Sequence, residues 1–500
     1  MVRLYETQRE LAHYTTLSHC WGKKHIVTTT KATLEQRKSE VQWPLLSKTF
    51  QDAINITRAL GIRYIWIDSL SIIQDDKEDW ERESAKMAEI YSSSYLNLAA
   101  TGSADGDGGF FSNRSTLSGK SKYPVEFHEV KHESGGRSGS IFARRLLSDA
   151  HIHFTNLEPP NAEQILASAP LLTRAWVLQE RFLTARTLHC HAAELVWECK
   201  ESLLCECGGV DDHSSGSMQA NTRLKSTCAE AFAGQKTVKQ TGNLWFDIIS
   251  LYSRLKLSNE SDRLPALSGL AKRFGDVFLG SYLGGLWEID LPQALLWQAC
   301  PSLYGNVSRT DLQNRIPTWS WGSVQFHDTD FCGFITYEAA TYFGFEPDHR
   351  FSIIAFSSPP SGLDPFGQVL GGMMELRGAF ISTSLFHERL PDYTSSFLMF
   401  DRDEAFDTVL VSKEDLIVDI PLYEKGQGEM LDGESLYCLL IGHTTRDMAR
   451  EGHPPELFSL SLALKPSISV PGAYERVGML QSDRGDDWFR EAMESIVVIV

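Results

Sequence analysis

Apolar residues change their spacing several times along the chain, and each change predicts a different element. Residues 62–67 are nearly unbroken apolar, rich in β-branched and aromatic side chains, and the run stops on the carboxylate of Asp68. That composition suits a strand buried on both faces in the middle of a parallel sheet, with Asp68 at its tip. In open α/β folds, ligands bind at the carboxyl ends of the strands. Upstream, Phe50, Ala53, Ile54, Thr57 and Leu60 recur at helical spacing. Residues 49–60 therefore read as an amphipathic helix, with Ser47 or Thr49 to cap its start and Gly61 to close its end. Residues 14–18 read as a first strand with 19–22 as its exit loop, and residues 95–100 as a further strand. Residues 75–93 read as one helix opened by Asp75 or Asp76, with Trp80, Ser84, Met87 and Tyr91 along one side.

The pattern weakens over residues 113–172, where 123–127 and 140–142 alternate like strands. It sharpens again at 173–181, a helix in which Trp176 and Glu180 stand four apart and so share a face. Residues 187–190 and 194–199 read as paired strands, and the polar stretch 211–239 as a linker or excursion. Helical spacing returns over 244–255, 263–274 and 293–300. Beyond residue 325 the period falls towards two, predicting strands at 375–386, 396–400, 408–411, 416–420, 435–442, 457–464, 475–479 and 496–500. Three regions follow: an α/β domain over 1–210, a linker and mostly helical region over 211–325, and a β-rich region over 326–500.

Bulk properties narrow the choice of partner. Five hundred residues exceed a single core, and 42% hydrophobic residues describe an ordinary globular chain. A net charge of −18 argues against a nucleic-acid backbone or an anionic membrane as the main partner. No window approaches the roughly 20 apolar residues of a membrane span, and no charged-then-apolar leader follows Met1. Nine cysteines, an odd number spread over a long chain, fit a reducing compartment, so the expected location is cytoplasmic.

Several motifs invite chemistry. His19 and Cys20 together suggest a nucleophile and its base, but adjacent residues on an extended chain point to opposite faces. Cys190 is a second candidate thiol. His189, Cys190, His191, Cys199, Cys205 and Cys207 resemble metal ligands by type only. Zinc sites want paired ligands two to four residues apart, whereas one residue separates Cys205 from Cys207, so free thiols and no metal are expected. The glycines of residues 101–112 surround Asp105 and Asp107, which a phosphate cradle does not want, so a flexible loop is expected there. Trp319 and Trp321 suggest either a carbohydrate platform or the lock of a domain junction. Glu180, one turn from Trp176, is either an ion-pair partner of Arg181 or Arg186, or a cleft acid tuned by the ring.

Five motifs, in order, resemble the heterokaryon incompatibility domain family of fungi. They are Leu17-Ser-His-Cys-Trp-Gly22, Trp66-Ile-Asp-Ser-Leu-Ser-Ile-Ile-Gln-Asp75, Asp79-Trp80, Met87 with Ile90-Tyr91, and Arg174-Ala-Trp-Val-Leu-Gln-Glu180. Residues 262–271, 284–287 and 319–322 are similar to the extension that commonly follows the domain. Ser71 stands where the family often has Cys. The resemblance implies non-self recognition and programmed cell death. It also implies distant kinship with the Toll/interleukin-1 receptor (TIR) domain, and hence a flavodoxin-like, TIR-like fold: a mostly parallel sheet flanked by helices.

Some relatives in that superfamily cleave NAD with a helix-borne glutamate, in a Trp-Cys-x-x-Glu pattern similar to Trp176-Val-Leu-Gln-Glu180. By that resemblance NAD is a candidate substrate, with no permanently bound cofactor. Glu180 would face an oxocarbenium ribose, as carboxylates do in glycoside hydrolysis. Asp68 would orient a ribose hydroxyl, and Trp21 or Trp176 would line the nicotinamide side. Arg174 and Arg181 are the nearest cations for a pyrophosphate. The alternative is a non-enzymatic module that self-associates or docks another incompatibility-signalling protein, with Glu180 and Asp68 only tying the fold together. The enzymatic reading requires the two acids to share one hollow.

Overall fold

In the computed structural model the chain divides into two units, residues 1–235 and 236–500, where the sequence suggested three regions. The structure describes all residues except 9, 24–25, 112–126, 135–136, 145–153, 155–167, 209–223, 279, 301–306, 311–315, 328–332, 342–343, 390–393, 401–411, 421, 423–429, 447–455 and 484–487. The strand expected at 408–411 and most of that at 123–127 fall outside the described residues.

The first unit runs β1 (Tyr14–Ser18), α1 (Leu34–Ser39), α2 (Lys48–Ala59), β2 (Tyr64–Trp66), α3 (Asp68–Ser71), α4 (Lys77–Ser84), α5 (Met87–Ser93), β3 (Leu96–Ala99), β4 (Phe127–Ser134), β5 (Arg137–Arg144), α6 (Ala175–Leu183), β6 (Arg186–Cys190), β7 (Leu195–Cys199), β8 (Leu203–Cys205) and α7 (Leu224–Phe232). Its main sheet has the order β2-β1-β3-β6-β7-β8. The first four strands are mutually parallel; β7 and β8 add on antiparallel, so the sheet is mixed. β4 and β5 pair with each other as a separate hairpin.

The apolar run at 62–67 is not the central strand. Only Tyr64–Trp66 pairs as a strand, at the sheet edge, with side chains half-buried. The parallel set is centred on β1 and β3, the latter buried at every position. The run is apolar because Ile65 and Ile67 pack against Phe50, Ala53, Ile54, Leu17 and Leu98 from the edge. The opposite face is half-covered as well, where Trp66 meets the Tyr91 ring edge-on (5.6 Å), so an edge strand carries a run that looks central.

α2 starts where Ser47 accepts from the Phe50 N–H (3.3 Å) and ends on Gly61 at φ +72°. The helix expected over 75–93 is two helices, with Asp76 capping the first. Residues 101–110 are tied down rather than left as a flexible loop. The Thr49 N–H donates to Gly106 O (2.9 Å), the Gly109 N–H to Thr49 Oγ1 (3.2 Å) and the Phe110 N–H to Asp52 Oδ2 (3.0 Å). Polar residues of α2 supply what glycines cannot, so composition alone misjudged the segment. The same holds within the expected linker, where residues 224–232 form α7 and bury Leu224, Lys225, Cys228 and Ala231.

The second unit opens with the helices Val238–Tyr252 and Pro265–Gly275. A capping box between Thr237 and Gln240 starts the first of these. Residues 293–300 are not helical throughout: a turn at Gln293–Leu295 leads into the strand Gln298–Cys300, paired with Phe334–Thr336. Ala294, Leu295, Leu296 and Trp297 are all fully buried, which erased the period that separates helix from strand.

The β-rich part closes on itself. Met373–Arg389, Thr394–Phe400, Ser412–Val418, Tyr474–Ser482, Glu456–Pro466 and Ser435–Arg446 are neighbours in that order, and the last pairs back with the first. Closure removes open sheet edges. Trp319 and Trp321 are fully buried inside this unit, which rules out a carbohydrate platform. Trp321 meets Tyr252 of the first helix edge-on (5.8 Å) and its Nε1 donates to Gly285 O (3.1 Å), while beside Trp319 the Thr318 N–H donates to Val500 O (3.1 Å). No helix among the described residues is long and apolar enough to cross a membrane.

Candidate functional site

The four parallel strands end on one side of the sheet, and the chemistry-bearing residues of the first unit collect there. Ser18 and His19 leave β1, Asp68 leaves β2 two residues after Trp66, and Tyr91 comes from α5. Arg174 and Glu180 come from the start and body of α6. The chain passes from β1 to β2 on one side and to β3 on the other. Such a reversal leaves a crevice at the strand ends.

Asp68 opens the single turn α3 and is held from several directions. Trp21 Nε1 donates to its Oδ2 (3.1 Å) and the Ser69 N–H to its Oδ1 (2.6 Å), while His19 Nδ1 stands 3.8 Å from Oδ1. Its side chain is 27% exposed, against 1% for His19. Burial lowers the His19 pKa, with Asp68 acting against and Arg174 with the shift, so the imidazole is neutral near pH 7. Its ring meets Phe50 edge-on at 5.0 Å.

Glu180 is 6% exposed, and burial raises its pKa to about 7. Hydrogen bonds from the Ser18 and Tyr91 hydroxyls and the charge of Arg174 pull the other way; the charge of Asp68 adds to the rise. Asp68 and Glu180 thus lie near enough to feel each other, and both act on Tyr91, whose pKa burial raises further still. Tyr91 also reaches Leu17 O (3.3 Å), and Ser18 is fixed by Asn97 Nδ2 (3.0 Å). Arg174 donates through Nη1 to His19 O, bridging α6 to the β1 exit.

Two polar atoms of this cluster, Glu180 Oε2 and His19 Nε2, are buried without a hydrogen-bond partner. Leaving a buried polar atom unpaired costs about 1–3 kcal/mol, which a ligand or water bound beside it would recover. An acid near neutrality, a neutral imidazole and a second, part-exposed carboxylate are the parts of a general acid–base site.

Of the residues singled out in sequence, Asp68, Glu180, Trp21 and Arg174 come together. Trp176 packs against Trp80 (6.5 Å, edge to face), one turn from the acid. Arg181 does not join them. It forms a bidentate pair with Glu198 (2.7–3.0 Å), inside a buried network with His189 and Lys225. Cys20 lies in a separate apolar cluster with Ala99, Leu171 and Val177, and burial raises its thiol to about 11, which leaves it unreactive. Ser18, Tyr91 and Asn97 also belong to the cluster, although no spacing in the sequence marks them. Tyr91 lay in an apolar stripe, and only its hydroxyl, at the end of a buried ring, reaches the site.

Family comparison agrees with the motifs. The model of the family described as Heterokaryon incompatibility protein (HET) matches residues 14–180. This stretch is a HET domain. Its matched boundaries run from the first residue of β1 to Glu180, so every residue of the cluster lies within the HET match. Comparison with curated proteins and with solved structures returned no match.

Proposed function

We propose that the HET domain serves incompatibility and cell-death signalling by cleaving the nicotinamide–ribose bond of NAD at the Asp68–Glu180 cluster. The observation that carries this reading is the buried Glu180 carboxyl, poised near neutrality, with one oxygen unpaired, beside Asp68 at the strand ends. The four-strand parallel order β2-β1-β3-β6 supports the flavodoxin-like, TIR-like comparison.

The reaction needs little from the protein. Nicotinamide leaves as a neutral base, taking the electron pair of the C1′–N bond, and the ribose becomes an oxocarbenium. Glu180 as carboxylate stabilises that charge and accepts a proton from the water that attacks C1′. The products are nicotinamide, ADP-ribose and a proton. Asp68, oriented by Trp21, binds a ribose hydroxyl, and Arg174 is the cation available to the pyrophosphate. Arg181 is committed to Glu198 and takes no part.

The test uses the full chain at high protein concentration, with NAD, following nicotinamide release by chromatography. Release should occur, and fall at least about 100-fold in Glu180→Gln, the size of a lost acid–base group. Undiminished release from folded Glu180→Gln and Glu180→Ala would remove Glu180 as the catalyst. Absence of release at every concentration would favour the module that acts by self-association or docking.

A further inference from the structure

We propose that Glu194, Cys205 and Cys207 form a binding site for a thiophilic divalent cation of the zinc class. The three ligand atoms lie within 4.8 Å of one another. The β7–β8 pairing sets this up: Val196 stands opposite Cys205, and the Glu206 N–H continues the ladder to Leu195 O (3.2 Å). β8 ends at Cys205, and the turn closed by the Gly208 N–H donating to Cys205 O (3.1 Å) brings Cys207 Sγ back beside Cys205 Sγ. Glu194, one residue before β7, completes the group from the neighbouring strand.

The distances fit one ion. Cys205 Sγ and Cys207 Sγ are 3.4 Å apart, and Cys207 Sγ is 3.4 Å from Glu194 Oε1. Around tetrahedral zinc, metal–sulfur bonds of about 2.3 Å and metal–oxygen bonds of about 2.0 Å put two sulfurs about 3.8 Å apart, and sulfur and oxygen about 3.5 Å apart. A shift of a few tenths of an ångström therefore accommodates the ion.

The Glu194 side chain is preset by the Cys207 N–H, which donates to Oε2 (2.9 Å), leaving Oε1 turned towards the sulfur. Such outer hydrogen bonds orient metal-binding carboxylates. Glu194 is fully buried, whereas both cysteines are partly exposed, which gives the ion an entry path. Two sulfurs select a soft or borderline ion over magnesium or calcium. Binding releases the thiol protons to solvent, so affinity should rise with pH.

The full chain, reduced and freed of metal with a chelator, is titrated with Co²⁺ and then Zn²⁺. One Co²⁺ should bind, giving sulfur-to-metal charge-transfer absorption and the visible bands of a tetrahedral ion, both lost when Zn²⁺ displaces it. The double variant Cys205→Ser, Cys207→Ser should abolish these bands. Glu194→Gln should weaken binding by at least about tenfold, and Cys300→Ser should change nothing. Zn²⁺ should also protect Cys205 and Cys207 of the unmodified chain from alkylation, read by mass spectrometry, which does not depend on the variants folding. Bands that survive the double variant, or thiols labelled equally with and without Zn²⁺, would overturn the site. So would a Cys205–Cys207 disulfide that forms while no metal binds.

Discussion

At Glu180, the side chain that carries the proposed chemistry also carries a stability signature. Its folded pKa is raised by burial to about 7, against 4.5 for the free side chain. Between about pH 4.5 and about pH 7 the folded protein therefore holds a proton that the unfolded chain has released. The stabilisation is complete below that window and is lost as pH rises through it, levelling off above about 7. The full effect is roughly 3 kcal/mol. Glu180→Gln should flatten this dependence and leave the variant more stable than the parent above neutrality, as read from urea denaturation across the pH range. A parent and variant with parallel pH profiles would show that Glu180 is not the titrating group.

At the scale of elements, the position of Glu180 depends on how α6 is anchored to the sheet. The next residue, Arg181, is locked to Glu198 of β7, which also receives His189 Nε2 (3.2 Å) and faces Lys225 of α7 (3.9 Å). The two cations hold the Glu198 carboxyl well below its usual range against the cost of burial, and burial lowers Lys225 to about 8. Removing one partner from such a group strands the others in a low dielectric. Glu198→Ala should therefore cost about 3–5 kcal/mol, measurable by denaturation, whereas an exposed pair would cost less than about 1 kcal/mol. The exit of β1 has its own constraint. Gly22 sits at φ +71°, and a Cβ there would come within 2.4 Å of Asp105 Cβ. Gly22→Ala should cost roughly 2 kcal/mol or more, from left-handed backbone strain together with displacement of the 101–110 segment.

At the scale of the whole molecule, the second unit depends on one buried cation in the way the first depends on Glu198. Arg476 is fully buried, lies 3.6 Å over the Trp297 ring, and donates to Asp419 (3.0 Å, twice) and to Leu295 O and Trp297 O. It ties the irregular 293–297 segment to the closed sheet. Arg476→Met should leave Asp419 with Arg309 (3.1 Å) as its remaining cationic partner and destabilise this unit by several kcal/mol. That loss should appear in the unfolding of the 236–500 unit, while the proposed nicotinamide release persists at moderate temperature.

Local pattern was enough for most helices and strands, because burial on one face imposes a period that a single chain displays. It placed α2 within one residue at each end, every strand of the parallel set, and the strands of the closed sheet within the described residues. It was also enough for the family, through motifs whose members stay close in sequence. Only the tertiary structure could decide that the run at 62–67 lies at an edge, since an apolar run reports contact but not the number of neighbours. The same limit hid the fate of the charged residues. Arg174 and Arg181 stand two turns apart on one short segment, yet one faces the site and the other is consumed by a carboxylate 17 residues away. Pairing across strands joined Glu194 to Cys205 and Cys207, which no spacing rule within the chain contains. Sequence fixes which groups are available, and long-range packing decides which of them meet.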